Sequence, residues 1–264
     1  MLKTAIVTLT YNKLELATKP FLESLYKYTL SELFDLVIVD NGSNDGTVEY
    51  IKDFKKNRTN ITLIENKKNL GYSRGNNIGI KSVMDKDYEY IALLNNDILF
   101  TPNWLVDTIE GFKIDEQIGI LSPRSSEKTG LTANNYLKKY KKFLSKLKTE
   151  LKYVLKPFFS CVLIKKEVFK KIGLFDEAYT PAFWEDDDLS IRAMYAGYSC
   201  AYLNSVFIFH NRSTTSSFVK NEIIKRNKEY FCKKHPLGRY FVENKRTNII
   251  NDIIKYINNG HYYS

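Results

Sequence analysis

Tyr90-Ile91-Ala92-Leu93-Leu94-Asn95-Asn96-Asp97-Ile98-Leu99-Phe100 decides how the chain is read. The run Tyr90 to Leu94 is short and mostly apolar, as suits a strand buried on both faces of a parallel sheet, and it stops abruptly at Asn95, Asn96 and Asp97. Polar groups therefore emerge where the strand leaves the sheet. In open α/β sheets ligands bind at that carboxyl edge, so a carboxylate delivered there suits a metal or a polar ligand. A plain turn competes with that reading, because Asn and Asp favour turns and Thr101-Pro102 follows.

Outward from this strand, the same unit recurs. Ala5 to Leu9 is a first strand, followed by Thr10-Tyr11-Asn12 and a helical stripe over Leu14 to Tyr28. Phe34 to Val39 is a second strand, ending in Asp40-Asn41-Gly42-Ser43-Asn44-Asp45-Gly46-Thr47, whose last three residues can open a helix. Ile61 to Ile64 is a third, leading into Asn69 to Asn77 and a helix from about Ile78 to Met84. Strand and helix alternate, which predicts an α/β fold: a mostly parallel sheet with helices on both faces and its loops gathered on one edge.

Beyond Trp104 the pattern loosens. Ile118 to Ser122 reads as a strand and 123–132 as a loop. The segment 134–157 holds eight lysines against the single acid Glu150, with apolar residues every three or four positions, so it reads as a basic amphipathic helix. Pro157 to Ile164 reads as a strand, and a helix should end near Gly173. Glu185-Asp186-Asp187-Asp188 opens another helix, Ala201 to Phe209 is a strand ending at His210, and from Phe218 the chain is helical and basic.

The 264 residues, 44% of them apolar, suffice for one large core, and the net charge of +10 favours a polyanionic partner. No apolar stretch reaches the roughly 18 residues of a membrane span, and no signal-peptide core is present, which points to a cytoplasmic protein. Cys161, Cys200 and Cys232 form no Cys-x-x-Cys pair and read as reduced structural thiols. Gly-x-Gly-x-x-Gly is absent after the first strand, as is a Walker motif, which argues against a dehydrogenase or a P-loop enzyme.

The chemistry-bearing candidates are few. Four consecutive acids complement a helix dipole at 185–188, but Ala182-Phe183-Trp184 places them beside an apolar wall, where a carboxylate can be raised into the range of a general base. His210 arrives at a strand end and could join Asp97 on a cation, or simply be a hydrogen-bonded structural residue. Asp40 sits where nucleotide-binding α/β folds hold a ribose or base. His235 and His261 carry no such context and read as structural.

In series, Thr10-Tyr11-Asn12, Val39 to Thr47, Asn69-Leu70-Gly71 through Asn77, Leu93 to Asp97, Gly173 to Glu177 with Trp184 to Leu189, and His210 resemble the family-two inverting glycosyltransferases of GT-A fold, with a rhamnosyltransferase-like subgroup as one placement. The resemblance implies a metal-dependent inverting transferase. It would move a sugar from a UDP- or dTDP-sugar to a hydroxyl of a glycan, glycolipid or glycoprotein.

The resemblance further implies that Thr10, Tyr11, Asp40, Asn41, Gly71, Arg74, Asn77, Asn95 and Asn96 line the donor site. It makes Asp97 and His210 ligands of Mn2+ or Mg2+. Asp186 is then the base, with Glu185 and Asp188 orienting it and the acceptor. Asn95 departs from the family's pattern by replacing the first acid of its metal motif, which raises the alternative of a weak or inactive relative.

The implied domains are 1–215 for transfer (1–100 for the donor, 101–215 for the acceptor) and 216–264 as a helical extension. The helix at 134–157 would rest on an anionic membrane at the inner face of the plasma membrane, near a lipid-linked acceptor, or pack on the domain or on a second copy in a homodimer. A nucleic-acid-binding α/β protein is the reading from another class. The acidic cleft argues against it, so no nucleic-acid partner is expected.

Overall fold

A computed structural model describes residues 3–126, 150–211 and 219–243. One sheet dominates, in the order β3 (Ile61–Glu65), β2 (Phe34–Asp40), β1 (Thr4–Thr10), β4 (Tyr90–Asn95), β8 (Cys161–Lys165), β6 (Ile118–Ser126), β9 (Ser199–His210) and β5 (Ile98–Leu99), with β7 (Leu151–Tyr153) pairing β9 on the edge away from β6. Its first half is β1 (Thr4–Thr10), β2 (Phe34–Asp40), β3 (Ile61–Glu65) and β4 (Tyr90–Asn95), all parallel. Helices Lys19–Tyr28, Thr47–Phe54 and Tyr72–Lys81 make the crossovers, as expected of strands alternating with helices.

These strands read as unbroken apolar runs because both faces are covered. Ile6, Leu36 and Ile38 join one core with Phe21, Leu22, Leu25 and the fully buried Trp104. Ala5, Val7, Val37 and Val39 join a second core on the opposite face, with Ile80, Val83, Leu189 and Phe231.

The second half is mixed. β8 (Cys161–Lys165) pairs antiparallel with β4 and with β6 (Ile118–Ser126), while β6 runs parallel to β9 (Ser199–His210). The short β5 (Ile98–Leu99) pairs antiparallel with the end of β9, with Ile98 opposite His210. The direct β4–β8 pairing puts residues of both expected halves in one sheet.

Several local expectations are corrected. The helix over Leu14 to Tyr28 is divided: Leu14–Thr18 is a wider π-type turn entered through Lys13 in the left-handed region, and the α-helix starts at Lys19 with Pro20 near its start. The third crossover helix starts at Tyr72, not Ile78, so most of the expected loop is its first turns.

The end of the 134–157 helix is instead a strand: β7 (Leu151–Tyr153) pairs antiparallel with Ala201 to Leu203 of β9, because a free sheet edge offers partners that an isolated helix end lacks. Residues 134–149 lie outside the described ones. β8 begins at Cys161, after a turn in which Cys161 N donates to Phe158 O. β6 extends to Ser126, beyond the expected Ser122. The basic tail is helical over Asn221–Lys234 and again over Gly238–Glu243, broken where Pro236 bars continuation. Cys161, Cys200 and Cys232 are all free thiols.

Candidate active site

Parallel strands deliver their ends to one edge, and there β1 and β2 place Thr10 beside Asp40. Thr10 Oγ1 donates to Asp40 Oδ2 at 2.9 Å, and the backbone N–H groups of Gly42 and Ser43 donate to Oδ1 at 3.0 and 2.8 Å. Asp40 therefore builds its own loop. Asn12 Oδ1 accepts from Asn44 N, and Asp45 Oδ2 accepts from Leu14 N, which ties this loop to the one after β1. Tyr11 stands on that joint, 40% exposed and able to meet a ligand.

Asn41 is buried, donating to Gly71 O and accepting from Asn66 Nδ2. Gly71 has φ +82°, and a Cβ there would lie 2.8 Å from Pro181 O, so only glycine fits between this loop and the Thr180-Pro181 segment that precedes the helix Glu185–Tyr195. Tyr72 N donates to that same Pro181 O. Arg74 Nε donates to Glu177 Oε2 at 2.8 Å, and Asn77 clasps Phe175 through its N–H and C=O. Of the residues expected to line the donor site, Arg74 and Asn77 thus make the seam with 175–177. The cavity lined by Leu70, Tyr72, Ser73, Arg74, Glu177, Thr180 and Pro181 has about 130 Å³, too small for a nucleotide sugar.

At the end of β4, a turn sets Asp97 beside His210. His210 Nε2 lies 3.1 Å from Asp97 Oδ1 and 3.5 Å from Asn95 Nδ2. Asn211 N donates to Asp97 O, which fastens the two strand ends together. Asn96 turns away and donates to Thr18 Oγ1 at 3.0 Å. Among the described residues no third His, Cys, Asp or Glu joins this pair. A mostly buried carboxylate next to an imidazole is nevertheless an oxygen and nitrogen donor set that fits Mn2+ or Mg2+.

The acid cluster opens the helix Glu185–Tyr195. Burial pushes the Asp186 carboxyl up to about 7, with Lys156 opposing the rise and Asp187 adding to it. Glu185 is raised well above the usual range by burial and then by Asp186. Glu185 Oε2 and Asp186 Oδ1 are sealed from solvent with no hydrogen-bond partner among the described residues. The helix N-terminus favours a carboxylate, but the loss of water outweighs it here.

Tyr72 stays a neutral phenol, its titration driven up by burial and then by Asp186 and Glu185, which places the start of the helix Tyr72–Lys81 beside the acids. Lys156 Nζ bonds Asp187 Oδ2 at 2.8 Å. Neither Lys156 nor Tyr72 stood out in the sequence, since one belonged to a lysine-rich stretch and the other to an apparent loop.

Asp188, expected to orient the acceptor, is instead fully buried against the chain's later helix. Its carboxylate meets Arg192 at 2.7 Å, Lys234 at 2.6 Å and His235 at 2.8 Å, and Tyr179 OH donates to it at 3.2 Å. These partners hold it well below the usual carboxylate range despite the opposing effect of burial. His235, expected to have no functional context, is thus bonded to the site helix.

Residues 5–173 match the family described as glycosyl transferase family 2. The chain belongs to that family. It is 24% identical over 245 residues to an uncharacterized glycosyltransferase of Methanocaldococcus jannaschii, covering 86% of this chain and 81% of that one. It is 26% identical over 175 residues to the poly-beta-1,6-N-acetyl-D-glucosamine synthase of Staphylococcus epidermidis, covering 64% of this chain and 40% of the synthase.

Among solved structures, GalNAc-T7 with UDP, GalNAc and Mn2+ superposes with a TM-score of 0.68 at 16% identity, over 99% of this chain and 58% of that one. Staphylococcus aureus TarS 1-349 with UDP-GlcNAc gives 0.65 at 17%, over 99% and 73%. The fold is GT-A, as the sequence motifs implied, and the chain is a family-two glycosyltransferase. No helix among the described residues is long and apolar enough to cross a membrane.

Proposed function

We propose that this protein is a metal-dependent, inverting glycosyltransferase in which Asp186 is the general base and Asp97 with His210 holds Mn2+ or Mg2+. The observation that carries the reading is Asp186: a carboxyl raised to about 7 by burial, with an unpartnered oxygen, at a helix start. A base poised near neutrality can take the proton of an acceptor hydroxyl as that oxygen attacks the anomeric carbon. Attack opposite the departing diphosphate inverts the anomeric centre.

When bound, the cation would neutralise charge on the leaving diphosphate. Asp97 and His210 supply its protein donors, and Asn95, in place of a first acid, reduces the negative charge around it. Tyr11 supplies an exposed ring for the base of the donor, while Thr10, Asp40 and Asn41 set the loop that carries it. Lys156 tempers Asp186, keeping it titratable near neutral pH.

The donor is a UDP-sugar in this reading, supported by the UDP and UDP-GlcNAc complexes among the structural neighbours, with dTDP as the alternative base. The acceptor is a hydroxyl of a growing glycan, in keeping with the polysaccharide synthase among the relatives. A lipid-linked acceptor reached through 134–157 on an anionic surface is the finer form of this proposal. The transfer domain is 1–215, with 216–264 as its extension.

The test is turnover of a panel of UDP-, dTDP- and GDP-sugars with Mn2+ and with chelator. Metal-dependent release of one nucleotide supports the reading. Binding without any turnover would favour an inactive sugar-nucleotide-binding relative, the outcome that Asn95 makes worth testing.

A further inference from the structure

Phe183 and Trp184 are consecutive non-glycine residues in the left-handed region, both with φ of +78°. Left-handed backbone is unfavourable for any residue with a Cβ, so something outside the segment must hold it. They immediately precede Glu185 and Asp186, and their dihedrals set the direction in which that helix starts.

The holding group comes from helix Asn221–Lys234. Asn227 is 1% exposed, and its amide donates to Ala182 O at 3.0 Å and to Phe183 O at 3.1 Å. Its oxygen accepts from Arg226 Nε at 3.1 Å, which fixes the amide so that both N–H groups face the strained segment. Arg226 also donates to Thr180 O.

One and two turns further along the same face, Phe231 packs on Trp184 with ring centroids 5.3 Å apart, and His235 meets Asp188. Residues 227, 231 and 235 thus contact three successive parts of 182–188. An asparagine within a helix is a poor helix former, and this one makes no bond to its own helix backbone, so its use lies in what it holds.

We infer that Asn227 is a positioning residue for catalysis: its amide clamps the Ala182 and Phe183 carbonyls, keeping the left-handed turn that aims Glu185 and Asp186 into the site. The inference rests on the proposed role of Asp186. Without the clamp, the turn relaxes toward ordinary dihedrals and the helix start moves. Donor contacts at Tyr11 and Asp97 lie on other loops and should be spared.

The experiment compares Asn227→Ala, Asn227→Asp and Tyr230→Phe in the full chain, each also with Trp104→Phe so that Trp184 is the one tryptophan. Tyr230 lies on the same helix but bonds Asp176, outside the turn. Expected results are at least a twofold rise in acrylamide quenching of Trp184 for Asn227→Ala, and a kcat fall of about 10²-fold with the donor KM within threefold, on the scale of a misplaced catalytic group.

Asn227→Asp, which keeps the shape but loses the donors, should behave alike, and Tyr230→Phe should do neither. Asp186→Asn measured alongside separates the two ideas. If it loses turnover while both Asn227 variants keep kcat and quenching, this inference alone falls. If Asp186→Asn turns over normally, the base assignment falls and takes the inference with it. Equal loss of kcat in Tyr230→Phe would reduce Asn227 to a general stabiliser and overturn its positioning role.

Discussion

Lys156 Nζ lies 2.8 Å from Asp187 Oδ2, one residue beyond the proposed base, so that a lysine shortly after β7 faces the acid cluster. Its charge opposes the rise of the Asp186 carboxyl, whose value is about 7. Removing the charge must raise that value further, because burial and Asp187 would then act unopposed. The acid limb of kcat against pH, expected near 7 in the native protein, should move to higher pH in Lys156→Met while the rate at pH 9 is largely retained. A limb that stayed in place would show that Lys156 does not face the reacting base.

His210 and Asp97 are joined by the pairing of Ile98 with His210, so two strands would share the proposed metal-binding task. Loss of one of two protein donors should cost at least tenfold in cation affinity, by comparison with the 10–100-fold typical of even outer-shell losses. His210→Ala should therefore weaken Mn2+-dependent UDP binding by about that factor in calorimetry, with metal-free UDP binding unchanged. Unaltered Mn2+ dependence would move the metal elsewhere.

Asp188 lies fully buried between Arg192, Lys234 and His235. Its folded value lies below the unfolded one, so its contribution is present above the ordinary carboxylate range and fades as pH falls through the folded value. Asp188→Asn should destabilise by about 2–4 kcal/mol at pH 7, a buried-pair loss reduced by the partial exposure of both cations. Urea unfolding reads this directly, and the deficit should shrink toward pH 3.

Gly71 combines a left-handed φ with close approach to Pro181 O. Alanine there meets strain and a clash with backbone, for a loss of about 2–4 kcal/mol. The seam joins the proposed donor loop to the segment before Glu185 and Asp186, so turnover should fall with stability in Gly71→Ala. A thermal midpoint within 1 °C of native would refute that close contact.

Much of this was legible in the sequence, for identifiable reasons. β1 to β4 are buried on both faces, so their apolar runs announce them, and the abrupt polar ends of β4 and β9 foretold that Asp97 and His210 emerge at strand ends. Their meeting, however, depends on the β5–β9 pairing, which no local pattern encodes.

Leu151 to Tyr153 looked helical because apolar spacing of three or four also fits a short strand on a sheet edge. Asn227, Phe231 and His235 share a helical face, but nothing in a basic tail says which surface that face meets. Asp188 looked like part of an acidic site, and only tertiary packing reveals its cationic surroundings.

The most direct test of the central claim is Asp186→Asn, assayed for sugar transfer or donor turnover beside calorimetry of UDP with Mn2+. The account predicts a kcat lower by about 10²–10⁴-fold, the range for removing a general base, with UDP affinity within threefold of native. It also predicts a variant more stable than the native protein above pH 7, by on the order of 2 kcal/mol after allowance for solvent contact. The sign follows because a raised carboxyl contributes stability while protonated and loses it as pH rises through about 7. Turnover retained within a few-fold of native would contradict the account, whatever the fold.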